Sequence, residues 1–151
     1  MEIEKMVKAL YGKDAKEAYS ILLELEQISE VKDILYGFLD EFFEMLNNEN
    51  FFIRVRGYRL FCKQAKWDKN NKINKMIDKI LLQIEDEKPI AVRQKLTALE
   101  DIIQNKPELN KKIGQKIIGI DYSKYKESMQ GLIEKDIRTL LELINTKGLQ
   151  E

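Results

Sequence analysis

Histidine is absent from these 151 residues, and cysteine occurs once, as Cys62. The first absence removes the commonest zinc ligand and the one side chain that ordinarily titrates near neutral pH. The second excludes an intramolecular disulfide and any cysteine-rich zinc or iron–sulfur ligand set, and it fits a reducing cytoplasm. Net charge is also absent, with 26 basic against 26 acidic side chains, so no global field draws the chain to nucleic acid or a membrane. No apolar run approaches the roughly 20 residues that cross a bilayer. Met1 to Leu10 carries charges where a secretory signal needs an apolar core, so a cytoplasmic protein with no membrane partner is expected. No glycine-rich phosphate loop and no distinctive carboxylate pair is present, and no metal or cofactor is expected.

Strand-like alternation is missing too. What the chain has instead is apolar residues at steps of three and four. Ala18, Ile21, Leu22, Leu25 and Ile28 form one stripe behind Asp14, a good helix N-cap. Val31, Ile34, Leu35, Phe38, Leu39, Phe42, Phe43 and Leu46 form a broader face, which predicts one helix covered on several sides. After the polar break at Asn47 to Asn50, a helix is predicted from Phe51 to Lys66, and Asp68 is predicted to cap the next. The only two prolines, Pro89 and Pro107, stand where a first helical turn tolerates a missing N–H. The last helix is predicted after Asp121, with fraying from Thr146. Inside predicted helices, Gly37, Gly57 and Gly131 cost about 1 kcal/mol each, which calls for close helix–helix contact or a local bend.

The pattern repeats. Ala18, Gly57 and Leu96 fall 39 residues apart, as do Ile21, Leu60 and Leu99, and each copy reads as two helices. Such a period is the mark of a helical solenoid, in which a helix pair hides its apolar face by stacking on the next. The expected fold is all-α, a short right-handed α-solenoid of about four hairpins and eight helices. It forms a single domain over 1–151, with repeats near 1–28, 29–66, 68–104 and 107–147.

Charge is segregated along these repeats. Residues 14–49 hold ten acidic and two basic side chains, whereas residues 50–83 hold nine basic and two acidic. One reading is attraction between successive hairpins. The other is a basic groove of Arg54, Arg56, Arg59, Lys63 and Lys66, joined by Trp67, Arg93 and Gln94, that receives a phosphate backbone or an acidic protein segment. The guanidinium fork suits fixed pairing with carboxylate or phosphate. Arg93 has a possible internal counterpart in Asp136, which borders a buried stripe between Leu132 and Leu140 and needs a cation there. Trp67 reads as a plug between repeats, Cys62 as a small core residue, and Tyr122, Tyr125 and Met129 as a packed or partner-facing line.

The turns around Asn48 to Arg56 and Asp86 to Arg93 resemble HEAT repeats, in which an acidic or Asn-rich turn leads into a second helix that opens on an apolar residue and an arginine. Ile53-Arg54 or Val55-Arg56 fills that place once and Val92-Arg93 again. With Lys66-Trp67-Asp68, Asp86 to Ile90 and Tyr125 to Met129, the chain resembles a group of small bacterial HEAT-like proteins, some labelled SufBD after iron–sulfur assembly. The heavy use of lysine, asparagine and isoleucine fits an AT-rich bacterial source. One cysteine and no histidine give almost nothing to hold a cluster, so the resemblance implies a fold rather than that chemistry. The function is left open by the resemblance; the stacked repeats themselves predict a non-enzymatic module binding a protein partner through a concave face of second helices, with RNA or DNA binding through the basic second repeat as the alternative. DNA glycosylases built of HEAT-like repeats are the enzyme reading; this chain is shorter and offers no residue-by-residue match to them.

Overall fold

Side-chain caps open two of the helices. Asp14 accepts the backbone N–H of Glu17 and opens helix α2 (Ala15–Val31), which follows the short α1 (Ile3–Ala9). Asn50 does the same for α4 (Phe51–Lys63) by accepting from the N–H of Phe52. The computed structural model describes residues 2–150, the side chains of 148–150 excepted. Among the described residues there are eight α-helices and three 3₁₀ turns and no strand, so the chain is all-α.

The stretch between α2 and α4 departs from expectation. A single helix is predicted from Val31, but α2 runs on through a buried Ser29 to Val31, and Lys32 leaves the helix in an extended conformation. A 3₁₀ turn at Tyr36–Phe38 then leads into a short α3 (Leu39–Met45). Val31 and Ile34 are 72% and 47% exposed, whereas Leu35, Leu39, Phe42 and Met45 are buried. The broad apolar face was thus drawn across a break: Val31 ends α2, Ile34 and Leu35 lie in the connection, and most of the rest belong to the 3₁₀ turn and α3.

Two further starts differ. Asp68 is buried and accepts the Tyr36 hydroxyl, and the residue that precedes α5 (Lys72–Leu82) is Asn71, whose φ of 56° is left-handed. Asparagine is among the few residues that take this conformation readily. Asp121 closes a turn on Ser123 instead of capping a helix, and α8 (Glu127–Gln150) begins six residues later and continues past Thr146. Glu151, the end of the predicted frayed segment, lies outside the described residues. Between them, α6 (Pro89–Asn105) has its proline in the first turn, and a 3₁₀ turn at Pro107–Leu109 leads into α7 (Asn110–Ile118).

The chain divides into two compact units, one ending at Asp68 and the other starting at Lys69. In the first, α1 packs on α2 and α3 on α4, while α2 and α4 lie against each other. Leu22, Leu25, Phe42, Leu60 and Phe61 form its dry centre. Gly57 lets α3 and α4 touch: a Cβ there would lie 2.5 Å from Met45 Cβ and 2.7 Å from the Phe42 carbonyl oxygen. In the second unit α6 and α7 both pack on α8, around Leu96, Leu99, Ile113, Ile117 and Ile133.

The contact expected at Gly37 and Gly131 is not there. Gly37 sits in the 3₁₀ turn, and a Cβ at either position would meet nothing within 4 Å. Gly131 therefore weakens α8 without any compensating approach. Gly131→Ala is expected to raise stability by about 0.5–1 kcal/mol, read as a higher urea midpoint at unchanged slope.

Candidate functional site

Five cations of the expected basic groove, Arg54 to Lys66, have partners inside the first unit. Arg54 Nη1 donates to the carbonyls of Asn48 and Glu49 at 2.9 and 2.8 Å, which ties α4 to its own leading turn. Arg56 is buried and donates to the Leu10 carbonyl at 2.6 Å, and burial lowers its pKa. Arg59 grips Glu26 of α2 with both arms of its fork, Nε at 3.0 Å and Nη2 at 2.7 Å. Burial pulls the Arg59 pKa down, but the hydrogen bond and charge of Glu26, with Tyr19 beside it, outweigh this and leave it raised. Lys63 bonds Glu30 at 2.6 Å, and that hydrogen bond holds the Glu30 carboxyl below its usual range. Lys66 Nζ donates to the Glu30 carbonyl, and the half-buried Trp67 donates its indole N–H to the Ser29 carbonyl at 2.8 Å.

A register emerges from these bonds. Glu26 to Arg59 and Glu30 to Lys63 span the same 33 residues, so α2 and α4 run side by side in the same direction. Antiparallel neighbours would make one partner's number fall as the other's rose. The shared offset also sets Phe52 level with Tyr19. Tyr19 and Phe52 are 50% and 48% exposed, and Leu23, one turn on from Tyr19, is 42% exposed. The α2–α4 face therefore carries two ion-pair rungs, with Tyr19 and Phe52 half-exposed nearer the N-terminal ends of the two helices. The Arg59 guanidinium lies 5.8 Å from the Tyr19 ring and the Arg56 guanidinium 5.9 Å from the Phe52 ring, so each aromatic has a cation at its face.

In the second unit Arg93 meets Asp136. Its Nε and Nη2 donate to the two carboxylate oxygens at 2.7 and 3.2 Å, joining α6 to α8, and this hydrogen bond raises the arginine's pKa. Gln94, its neighbour on α6, is half-buried. Of the eight candidate binding residues, Arg54 to Trp67 belong to the first unit and Arg93 and Gln94 to the second. A hollow of about 460 Å³ in the second unit is lined by Glu85, Asp86, Glu87, Lys124 and Tyr125. Asp86 is already bonded to Lys95, and its carbonyl takes the Tyr125 hydroxyl. Among the described residues no group of acidic or cysteine side chains is placed to hold a metal ion, and no helix is long and apolar enough to cross a membrane.

Sequence reasoning missed Tyr19, Leu23 and Phe52. Tyr19 and Leu23 stand one turn apart on the side of α2 away from Ala18, Leu22 and Leu25, a signal legible in the spacing alone. Phe52's place beside them was not, because it depends on the register. No protein-family model matches the chain, and no curated protein and no solved structure matches it either.

Proposed function

We propose that the chain is a non-enzymatic helical-repeat module, a short right-handed α-solenoid of HEAT-like hairpins, that binds a protein partner through the surface of its second helices. Helices in equivalent places of successive repeats run parallel and touch. The parallel contact of α2 with α4 at 33 residues supports this reading, and so does the packing of α6 on α8. In a closed up-and-down four-helix bundle α2 and α4 would stand on a diagonal.

The observation that carries a protein partner over a nucleic acid is the pairing of the cations on α4 and the 3₁₀ turn that follows it, Gln64–Trp67. Arg54, Arg56, Arg59, Lys63 and Lys66 all bond carbonyls or carboxylates of their own unit, so a phosphate backbone would have to displace those partners. Beside them lie Tyr19, Leu23 and Phe52, an exposed apolar group of the kind that anchors protein interfaces. A cytoplasmic setting goes with the same reading, on the strength of a single cysteine in the chain.

The test is capture from a native extract with a photo-crosslinker at position 23, with and without nuclease. The expected result is a nuclease-resistant adduct that persists at high salt and is lost in Tyr19→Ser/Phe52→Ser. An adduct that vanishes with nuclease, and that weakens steeply with salt and on Arg54→Gln/Arg59→Gln, would replace this reading with the nucleic-acid one.

A further inference from the structure

The second unit has a face whose charge is not neutralised. Asn74 of α5 donates to Glu108, just before α7, at 2.9 Å, and Lys112 of α7 bonds Asp78 of α5 at 2.9 Å. Both links span 34 residues, so α5 and α7 run side by side in the same direction. Their seam is at the surface, since the Lys112 and Asp78 side chains are 52% and 77% exposed. On either side of it stand Lys75 and Lys79 of α5 and Lys111 and Lys116 of α7. Among the described residues, none of these four has a hydrogen-bond or ion-pair partner. Lys72 and Lys112 add to the same surface. Its acids are Asp78 and Glu108, both bonded as above, with Glu85 and Glu87 in the turn beyond α5.

The face is not only basic. Leu82 and Ile118, at the C-terminal ends of α5 and α7, are 69% and 67% exposed, which with Val31 makes them the three most exposed large apolar residues described. Leu82 follows Lys75 and Lys79 at helical spacing, and Ile118 follows Lys111 in the same way. Each helix thus presents lysines along its length and an aliphatic side chain at its end, both pairs in the same sense.

We propose that this α5–α7 face docks on an anionic lipid surface, the lysines against the headgroups and Leu82 and Ile118 in the headgroup–acyl boundary. A chain with no spanning helix can still lie on a bilayer. Unpaired lysines are attracted to acidic headgroups without needing fixed geometry, and exposed aliphatics gain by insertion. Neither trait suits the competing polyanion. Leu82 and Ile118 have nothing to do against a phosphate backbone, and the face has no aromatic for stacking bases and no arginine for reading their edges. The proposal concerns a different unit from the Tyr19–Phe52 surface and does not rest on it.

The test is co-sedimentation of the whole chain with vesicles of phosphatidylcholine alone or mixed with phosphatidylserine. Binding is expected only to the mixed vesicles, weakening as added salt shortens the screening length from about 10 Å towards about 3 Å. Lys75→Gln/Lys79→Gln/Lys111→Gln and, separately, Leu82→Ser/Ile118→Ser are each expected to weaken it about tenfold or more. All five positions are exposed, and a melting curve checks that both variants fold. The proposal is overturned if the parent chain stays in the supernatant, or if it binds neutral vesicles equally. It is also overturned if Leu82→Ser/Ile118→Ser binds as well as the parent, and equally if duplex DNA or a polyglutamate binds the face with the same dependence on Leu82 and Ile118 as the vesicles.

Discussion

Asp86→Ala is expected to lower the stability of the protein by about 3–5 kcal/mol and its melting temperature by about 10 °C or more. Lys95 is the reason. It lies on α6 with its side chain 1% exposed, its Nζ 3.1 Å from the Asp86 carboxylate and 2.7 Å from the Gln83 carbonyl. The Asp86 side chain is 3% exposed, so the pair has almost no water to fall back on. Removing one member of such a pair strands the other's charge in the interior, and that cost exceeds anything the intact pair contributes. The same carboxylate accepts the N–H of Lys88 in the turn before α6, so the helix entry loosens as well. The carbonyl that takes the Tyr125 hydroxyl is backbone and survives the substitution. Combining Asp86→Ala with Lys95→Met removes the stranded charge, and the double variant is expected to melt well above Asp86→Ala. Equal melting of the parent and Asp86→Ala would mean that the pair is solvated.

That pair was invisible in the sequence, although both residues were in view. Asp86 was noted as part of a turn, and Lys95 stands in a helix among the many lysines of the chain. Spacing tells which side of a helix a residue occupies, but not whether a cation there meets water or a carboxylate from another element. The same limit bears on the candidate binding surface. The guanidinium fork drew attention to Arg54, Arg56 and Arg59, and its suitability for fixed pairing applies as well to an internal carbonyl or Glu26 as to an external phosphate. The lysines that do face outward, on α5 and α7, were unremarkable by type. Helix content was legible because burial imposes a period of 3.6 on every helix. The Arg93–Asp136 pair was legible because an aspartate bordering a buried stripe has few ways of being satisfied. The α2–α3 region was not, because apolar residues of two adjoining elements merge into one pattern when the break between them, at Lys32 and Asp33, contains neither glycine nor proline.

Gly57→Ala sets two effects of opposite sign against each other, and the packing effect is expected to win. Alanine gains about 1 kcal/mol over glycine in a helix interior. Against this, the new methyl would stand 2.5 Å from Met45 Cβ and 2.7 Å from the Phe42 carbonyl oxygen, and neither atom can swing away by a rotamer change. Relief requires α3 to move as a body, and its Phe42 and Met45 side chains, 0% and 1% exposed, would be drawn from the core with it. Overpacking ordinarily costs about 1–3 kcal/mol and more where backbone is the obstacle, so the expected net result is a loss of about 2 kcal/mol in urea unfolding. Gly131→Ala, with open space around its Cβ, should shift the midpoint the other way. The helical period sets residue 57 on the side of α4 away from Arg59, so the Glu26 and Glu30 rungs should persist in the folded fraction. Capture through Tyr19 and Phe52 should then fall only in proportion to unfolding. A Gly57→Ala chain as stable as the parent would mean that α3 and α4 lie further apart than 2.5 Å from methyl to methylene requires.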